Sequence, residues 1–314
     1  MLKPSAYLLL SVALFTTACQ PKEATNPAAA SAVSASTTSA APTAAASTPF
    51  TTPKPDDLLA QFNWYRDRVR HDLAGSTPAQ ADVLYEQFRA DIDGLLKTLN
   101  QREQTFLETY SDYWTYDDKT ETSHPNDEMK KRSATLAEVG LEYWYVGEGM
   151  AIIRPQADYY WQLFGKHVSP DYADFLRIKA EQNKELVFND AALAISWQQL
   201  GGYVLAWEEF LQHHPKSKLN TTARCHYGRY AETYLLGINN TPTRDYDTKK
   251  LLPEVKAEWL RMRQQHPASP VAKLTLTVEG LKSVEEEYNP QLLAPLNLPD
   301  SKICNQVFGY ETVE

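Results

Sequence analysis

One short pattern occurs twice at a fixed offset: Trp207, Gln212, His214, Pro215 and Ser217 return as Trp259, Gln264, His266, Pro267 and Ser269, each 52 positions further on. In both copies an apolar stripe carrying a Trp runs into His-Pro, where Pro halts the helix, and a Ser two places later can cap the next one. Helices joined by so short a turn lie antiparallel. A unit recurring at a fixed interval buries its apolar face by stacking on its neighbour. The expected fold class is therefore mainly α, a helical-hairpin array of the α-solenoid type.

The rest of the chain follows the same grammar. Leu58, Phe62, Tyr65, Val69 and Leu73 mark a first helix ended by Gly75, and Thr77-Pro78 opens a second. Its stripe of Ala81, Leu84, Phe88, Ile92, Leu95, Leu99, Phe106 and Tyr110 predicts one long helix or two broken near Asn100. The polar run Asp117 to Asp127 reads as a loop, and Met129, Arg132, Leu136 and Val139 as a short helix. Asp158 to Phe164 is another short helix, and Ser169-Pro170 launches a longer one. Asn189 or Asp190 is expected to cap the strongest stripe, Leu193 to Leu211, in which Gly201-Gly202 predicts a close helix approach or a kink. Further helices begin near Leu219, Leu252-Pro253 and Ser269-Pro270, the last reaching Tyr288, and the tail from Gln291 reads as coil.

One stretch breaks the pattern. Residues 141–153 set aromatic and β-branched side chains on either side of Gly147 and Gly149, which predicts one small β-hairpin inserted among the helices. Tyr, Trp and Arg anchor interfaces, so the candidate binding surface is Glu142, Trp144, Tyr145, Glu148, Arg154, Tyr159, Tyr160 and Trp161. A second reading makes Glu142 or Glu148 the acid of a cell-wall glycan- or peptide-degrading enzyme, since such hydrolysis uses paired carboxylates. A third gives the chain a purely structural role. No nucleophile, phosphate-loop or zinc motif is present, so neither a catalytic residue, a metal nor a cofactor is expected.

At the other end, Lys3, the apolar run Tyr7 to Phe15 and Thr16-Thr17-Ala18 precede Cys19, and that run is far short of the roughly 20 residues a membrane span requires. Ala18-Cys19 resembles the lipobox of bacterial lipoproteins, although Thr16 stands where that family usually has Leu. The resemblance implies cleavage after residue 18 and lipid on Cys19. Gln20 implies, by the same resemblance to Gram-negative lipoproteins, delivery to the periplasmic face of the outer membrane. Residues 19–56, nearly all Ala, Ser, Thr and Pro, then form a disordered tether that spans about 30 to 36 Å on average. Cleavage moves the formal charge from −9 to −10, which disfavours nucleic acid and leaves the lipid as the only membrane contact. Cys225 and Cys304 form either one disulfide or two buried thiols.

The carriers His214-Pro215-x-Ser217 and His266-Pro267-x-Ser269, with Trp197, Leu200 and Gly201, resemble tetratricopeptide-related helical-repeat lipoproteins of bacterial envelopes. The likeness covers residues 190–288 and implies concave-surface recognition. The sequence thus divides into a signal peptide (1–18), the tether (19–56), a helical region with the hairpin (57–189), the repeat-like region (190–288) and a tail (289–314). The expected partner is an envelope protein or peptide, or a cell-wall polymer.

Overall fold

The computed structural model describes residues 52–54, 56–147, 149–281, 289 and 291–309, all within one unit, Pro49–Glu314. Among them the chain is mainly helical, with eleven α-helices and four two-stranded antiparallel sheets. Helix α1 (Leu58–Leu73) packs on α2 (Pro78–Arg102), whose first turn is closed as the Thr77-Pro78 signal requires. The Thr77 hydroxyl accepts the Gln80 N–H, and the Gln80 side chain accepts the Thr77 N–H at 2.9 Å. A break after Arg102 separates α2 from α3 (Gln104–Glu108), as the stripe allowed.

Next comes a hairpin where a loop was expected: β1 (Trp114–Asp117) pairs with β2 (Thr122–Pro125). Five of its eight residues are exposed and the run from Asp117 to His124 is polar, so no apolar alternation betrays it. Helix α4 (Asp127–Glu138), capped by Asn126, leads to the hairpin that the sequence did predict, β3 (Leu141–Gly147) with β4 (Met150–Pro155). Glu142 lies opposite Arg154 and Trp144 opposite Ile152.

Asn100 fixes this hairpin to α2. Its Nδ2 donates to the Ile153 carbonyl and its Oδ1 accepts the Ile153 N–H, both at 2.8 Å, so one amide satisfies the outer edge of β4 as a neighbouring strand would. Asn100→Ala leaves both backbone groups without that partner and is expected to cost about 2 kcal/mol, read as a lower urea midpoint at unchanged slope. An unchanged midpoint would show the contact to be dispensable.

Helices α5 (Tyr159–Phe164) and α6 (Pro170–Gln182) follow, then a second departure from expectation. Asn189 and Asp190 do not cap a helix. They belong to the tight hairpin β5 (Phe188–Asn189) and β6 (Ala192–Leu193), whose turn residues Asp190 and Ala191 have φ of 47° and 52°. Consecutive left-handed residues are what a two-residue hairpin turn demands. Helix α7 (Trp197–His213) therefore starts later, closed by Ser196 and Gln199. Next come α8 (Asn220–Leu236), a hairpin of β7 (Gly237–Ile238) and β8 (Thr241–Pro242), α9 (Pro253–Gln265) and α10 (Pro270–Glu279). The helix expected to run through Leu281 to Tyr288 instead ends at Glu279, with Gly280 as its C-cap, and residues 282–288 lie outside the described residues. In place of a coil tail, Ser301–Gly309 forms α11, joined to α8 through the Cys225–Cys304 disulfide, S–S 2.18 Å.

The element order hairpin, helix, helix thus occurs three times, beginning at Leu141, Phe188 and Gly237. Successive hairpins touch. Ala191 O accepts the Asn240 N–H at 2.9 Å, and Thr241 Oγ1 accepts the Leu193 N–H at 2.9 Å.

The structure also explains the repeated pattern residue by residue. His214 and His266 end their helices with matching backbone, φ −122° and −130°, ψ 54° and 55°. Ser217 Oγ donates to Asp171 of α6 at 2.6 Å, and Ser269 Oγ to Glu208 of α7 at 2.9 Å, so each turn is braced by a carboxylate from an earlier helix. Burial alone raises the Asp171 carboxyl, but hydroxyl bonds from Ser169 and Ser217 with backbone N–H groups bring it below its usual value. Glu208 lies deeper, and there burial wins and pushes it up. Trp207 and Trp259 are fully buried, and their indole N–H groups reach Gln182 Oε1 and the Tyr234 carbonyl, both at 3.2 Å. Each acceptor sits in the last turn of an earlier helix, 25 residues before its Trp. Gly201 supplies the close approach that the sequence suggested: a Cβ there would meet Glu258 Oε1 at 2.7 Å and the Met262 methyl at 3.0 Å.

Candidate functional site

On α2, Arg89, Asp93, Lys97 and Gln101 recur every fourth residue, so they form one polar row with rungs about 6 Å apart. This row makes one wall of a cleft of about 730 Å³. Phe175, Leu176 and Lys179 of α6 and Asn183 at its C-terminal cap line the cleft as well, with Ile152, Arg154 and Pro155 of β4 and Tyr160 and Trp161 of α5. The volume falls within the range of about 300 to 1,000 Å³ usual for ligand sites. Tyr85 meets Tyr160 edge-on at 5.9 Å, which helps to hold the aromatic end in place.

Arg154 is the hub. Only 6% exposed, it directs Nε and Nη2 to Glu142 Oε1 at 2.9 Å each, and Nη2 also donates to the Asn183 carbonyl at 2.6 Å. Its guanidinium carbon stands 3.3 Å from the centroid of the Trp144 ring. A charge buried this far needs a counter-ion and filled donor positions, and Glu142, Asn183 and Trp144 supply them. Glu142 is thereby occupied as the partner of Arg154, which leaves the hydrolytic reading without a disengaged acid on β3. Glu148, its other candidate, lies outside the described residues, as does Cys19.

The sequence-predicted surface is divided by the fold. Arg154, Tyr160 and Trp161 come together in the cleft. Trp144 instead borders a cavity of about 40 Å³ with Gln182, Arg154 and Arg229. Tyr145 stands at the hairpin tip, 44% exposed, its hydroxyl accepting the Gly149 N–H at 3.2 Å. Tyr159 is a correction. Only 8% exposed, its ring stacks near Phe88 and fills the space over Gly140, where a Cβ would come within 2.4 Å of it. Gly140 also has φ of +81°, so this core contact rests on a glycine. Burial raises the Tyr159 hydroxyl to about 12.

The cleft lining carries Arg89, Lys97, Lys179 and one carboxylate, Asp93, besides Arg154, whose charge is balanced by Glu142, in a chain whose formal charge is −9. Arg89 Nε stands 3.8 Å from Asp93 Oδ2. Burial, with the Asp93 charge nearby, pushes the Tyr160 hydroxyl well up, so it stays a neutral donor. Sequence reasoning missed the α2 and α6 cations. The four-residue recurrence of Arg89, Asp93, Lys97 and Gln101 was a usable signal, but nothing showed which helix would face it.

Among the described residues no group of His, Cys, Asp and Glu could hold a metal ion, and no helix is long and apolar enough to cross a membrane. Comparison with protein-family models, with curated proteins and with solved structures finds no match for this chain.

Proposed function

We propose that this chain is a lipid-anchored binding protein of the bacterial envelope, held by lipid on Cys19 at the periplasmic face of the outer membrane. Its helix pairs act as a tetratricopeptide-like scaffold that presents a recognition cleft to a protein, peptide or cell-wall polymer. The observation that carries this reading is the cleft itself: aromatic and apolar side chains inside, cations around them, and Arg154 fixed in place by Glu142, Asn183 and Trp144. Rigid aromatic and Arg side chains lose little entropy on binding, which is why they dominate recognition surfaces.

The test uses a photoreactive residue at Gln101, on the cleft rim, or at Tyr246, 84% exposed and far along the chain, in cells carrying the full protein. A discrete adduct at 101 that is absent at 246 and lost with Trp161→Ala is expected. Equal labelling at both positions would contradict the reading. Cys19→Ser should release the chain from the membrane fraction; retention would remove the anchor from it.

A further inference from the structure

We infer that a second site lies between the end of α6, strand β5 and helix α8, where Arg229 and Gln182 take one carboxylate group. It is separate from the cleft, although Arg154 and Asn183 border both, and it stands whether or not the cleft has a partner. Arg229 of α8 is half-buried, with its guanidinium carbon 4.6 Å from the centroid of the Phe188 ring and 5.4 Å from that of Phe308. Phe308 is carried by α11, which the disulfide ties to α8. Phe188 is held by a row of rings: it stacks on Tyr230 at 6.2 Å, Tyr230 on His226 at 6.4 Å, and His226 on Trp207 at 5.0 Å. Among the described residues no carboxylate forms an ion pair with Arg229. Aromatic faces attract the cation, yet they leave its N–H donors to solvent or to a ligand.

A second donor borders the same cavity of about 40 Å³. Gln182 is 3% exposed, and its Oε1 accepts the Trp207 indole N–H at 3.2 Å. An indole N–H can only donate, so this bond fixes which end of the amide is which. Nε2 is then a buried donor with no hydrogen-bond partner among the described residues, which points to an acceptor in the cavity. Charge and size define that acceptor. Arg154, the other cation on the lining, is balanced by Glu142, and the one lining carboxylate, Glu185, is exposed and accepts from Gln199 at 2.9 Å. Arg229 leaves a single positive charge to match, which favours a monoanion. One water needs roughly 10 to 15 Å³ of cavity, so the space admits about three heavy atoms, the size of a carboxylate group. A carboxylate can also take two parallel bonds from a guanidinium and a third from the amide. The rest of the ligand extends past exposed Glu185 into solvent.

The experiment is saturation-transfer NMR of sodium acetate with the full chain in detergent micelles, at fixed ionic strength, with methylphosphonate as the tetrahedral control. Acetate should bind in preference to methylphosphonate, and Arg229→Gln should weaken it about tenfold or more, the loss of a charge-assisted pair. Gln182→Glu is the sharper variant, since it keeps an oxygen for Trp207 and puts a carboxylate where the unpaired donor stood. It should pair with Arg229, raise the thermal midpoint and abolish acetate binding, and the gain should vanish when Arg229→Gln is added. A cavity that holds only water gives the opposite, a lowered midpoint, because Gln182→Glu then buries an unmatched charge. That result overturns the inference, as do equal acetate binding in Arg229→Gln, equal binding of methylphosphonate, and displacement of acetate by equimolar chloride. N-acetylalanine distinguishes the sources of the carboxylate. Tighter binding than acetate assigns the site to the end of a peptide chain, and weaker binding to a small free acid. Its amide should not bind, and binding of the amide overturns the inference too.

Discussion

Breaking the Cys225–Cys304 bridge is expected to destabilise the folded unit by roughly 4.5 kcal/mol, among the largest effects of any change in this chain. The two cysteines are 79 residues apart, and the chain-entropy relation for a closed loop of that length gives this figure. The loop contains α9 and α10, so the bridge ties the end of the chain back onto α8 across a whole helix pair. Packing alone holds α11 less firmly. Phe308 sets its ring edge-on to His226 at 5.3 Å, and Ile303 remains 43% exposed. Denaturant unfolding of the full chain, oxidised and reduced, checks the claim. The reduced protein should match Cys225→Ser/Cys304→Ser, with a midpoint well below the oxidised one. Coinciding curves for oxidised and reduced chains would show the bridge to be thermodynamically idle.

Trp259→Ala should cost about 3 to 5 kcal/mol, as should Trp207→Ala, because each deletes a fully buried indole from tightly packed surroundings. The corresponding Phe variants separate the polar from the apolar part. Trp207→Phe removes the donor that Gln182 Oε1 accepts, and the Nε2 of the same amide is already buried without a partner among the described residues. Trp259→Phe gives up one bond to the Tyr234 carbonyl, at the end of α8 where the helix itself provides no partner. The first Phe change is therefore expected to cost more than the second, by about 1 kcal/mol. Equal losses for the two would mean that the repeated indole acts by volume alone.

Much of the helical frame was legible before any coordinates. Thr77-Pro78, Ser169-Pro170, Leu252-Pro253 and Ser269-Pro270 each open a helix where expected, because a proline at the first position has one outcome in a helix. The hairpin at 141–155 was legible because its strands alternate large side chains around glycines. The small hairpins were not. Strands of two residues, such as Phe188–Asn189, are too short to show a period, and Asp190 and Ala191 take left-handed backbone without a glycine to announce it. Helix α11 was hidden by the neighbouring prolines, which argued for coil. Arg154 and Trp161, singled out in the sequence by the aromatic clusters on either side of Arg154-Pro155, both line the cleft. Lys97 and Lys179 were not singled out, since a cleft between α2 and α6 depends on packing over eighty residues of separation. Tyr159 was misplaced because one aromatic in a run of three had to turn inward, and only Gly140 showed which.

The most direct test of the central claim is amine footprinting of the full chain in intact envelopes against the purified protein. Acetylation rates at Lys97 and Lys179 would be compared with those at exposed Lys249 and Lys250, which do not line the cleft. Envelope context is expected to slow modification of Lys97 and Lys179 severalfold and to leave Lys249 and Lys250 unchanged, with the protection lost in Trp161→Ala. Unchanged rates at Lys97 and Lys179 would contradict the claim, and the cleft would then be a feature of packing without an occupant.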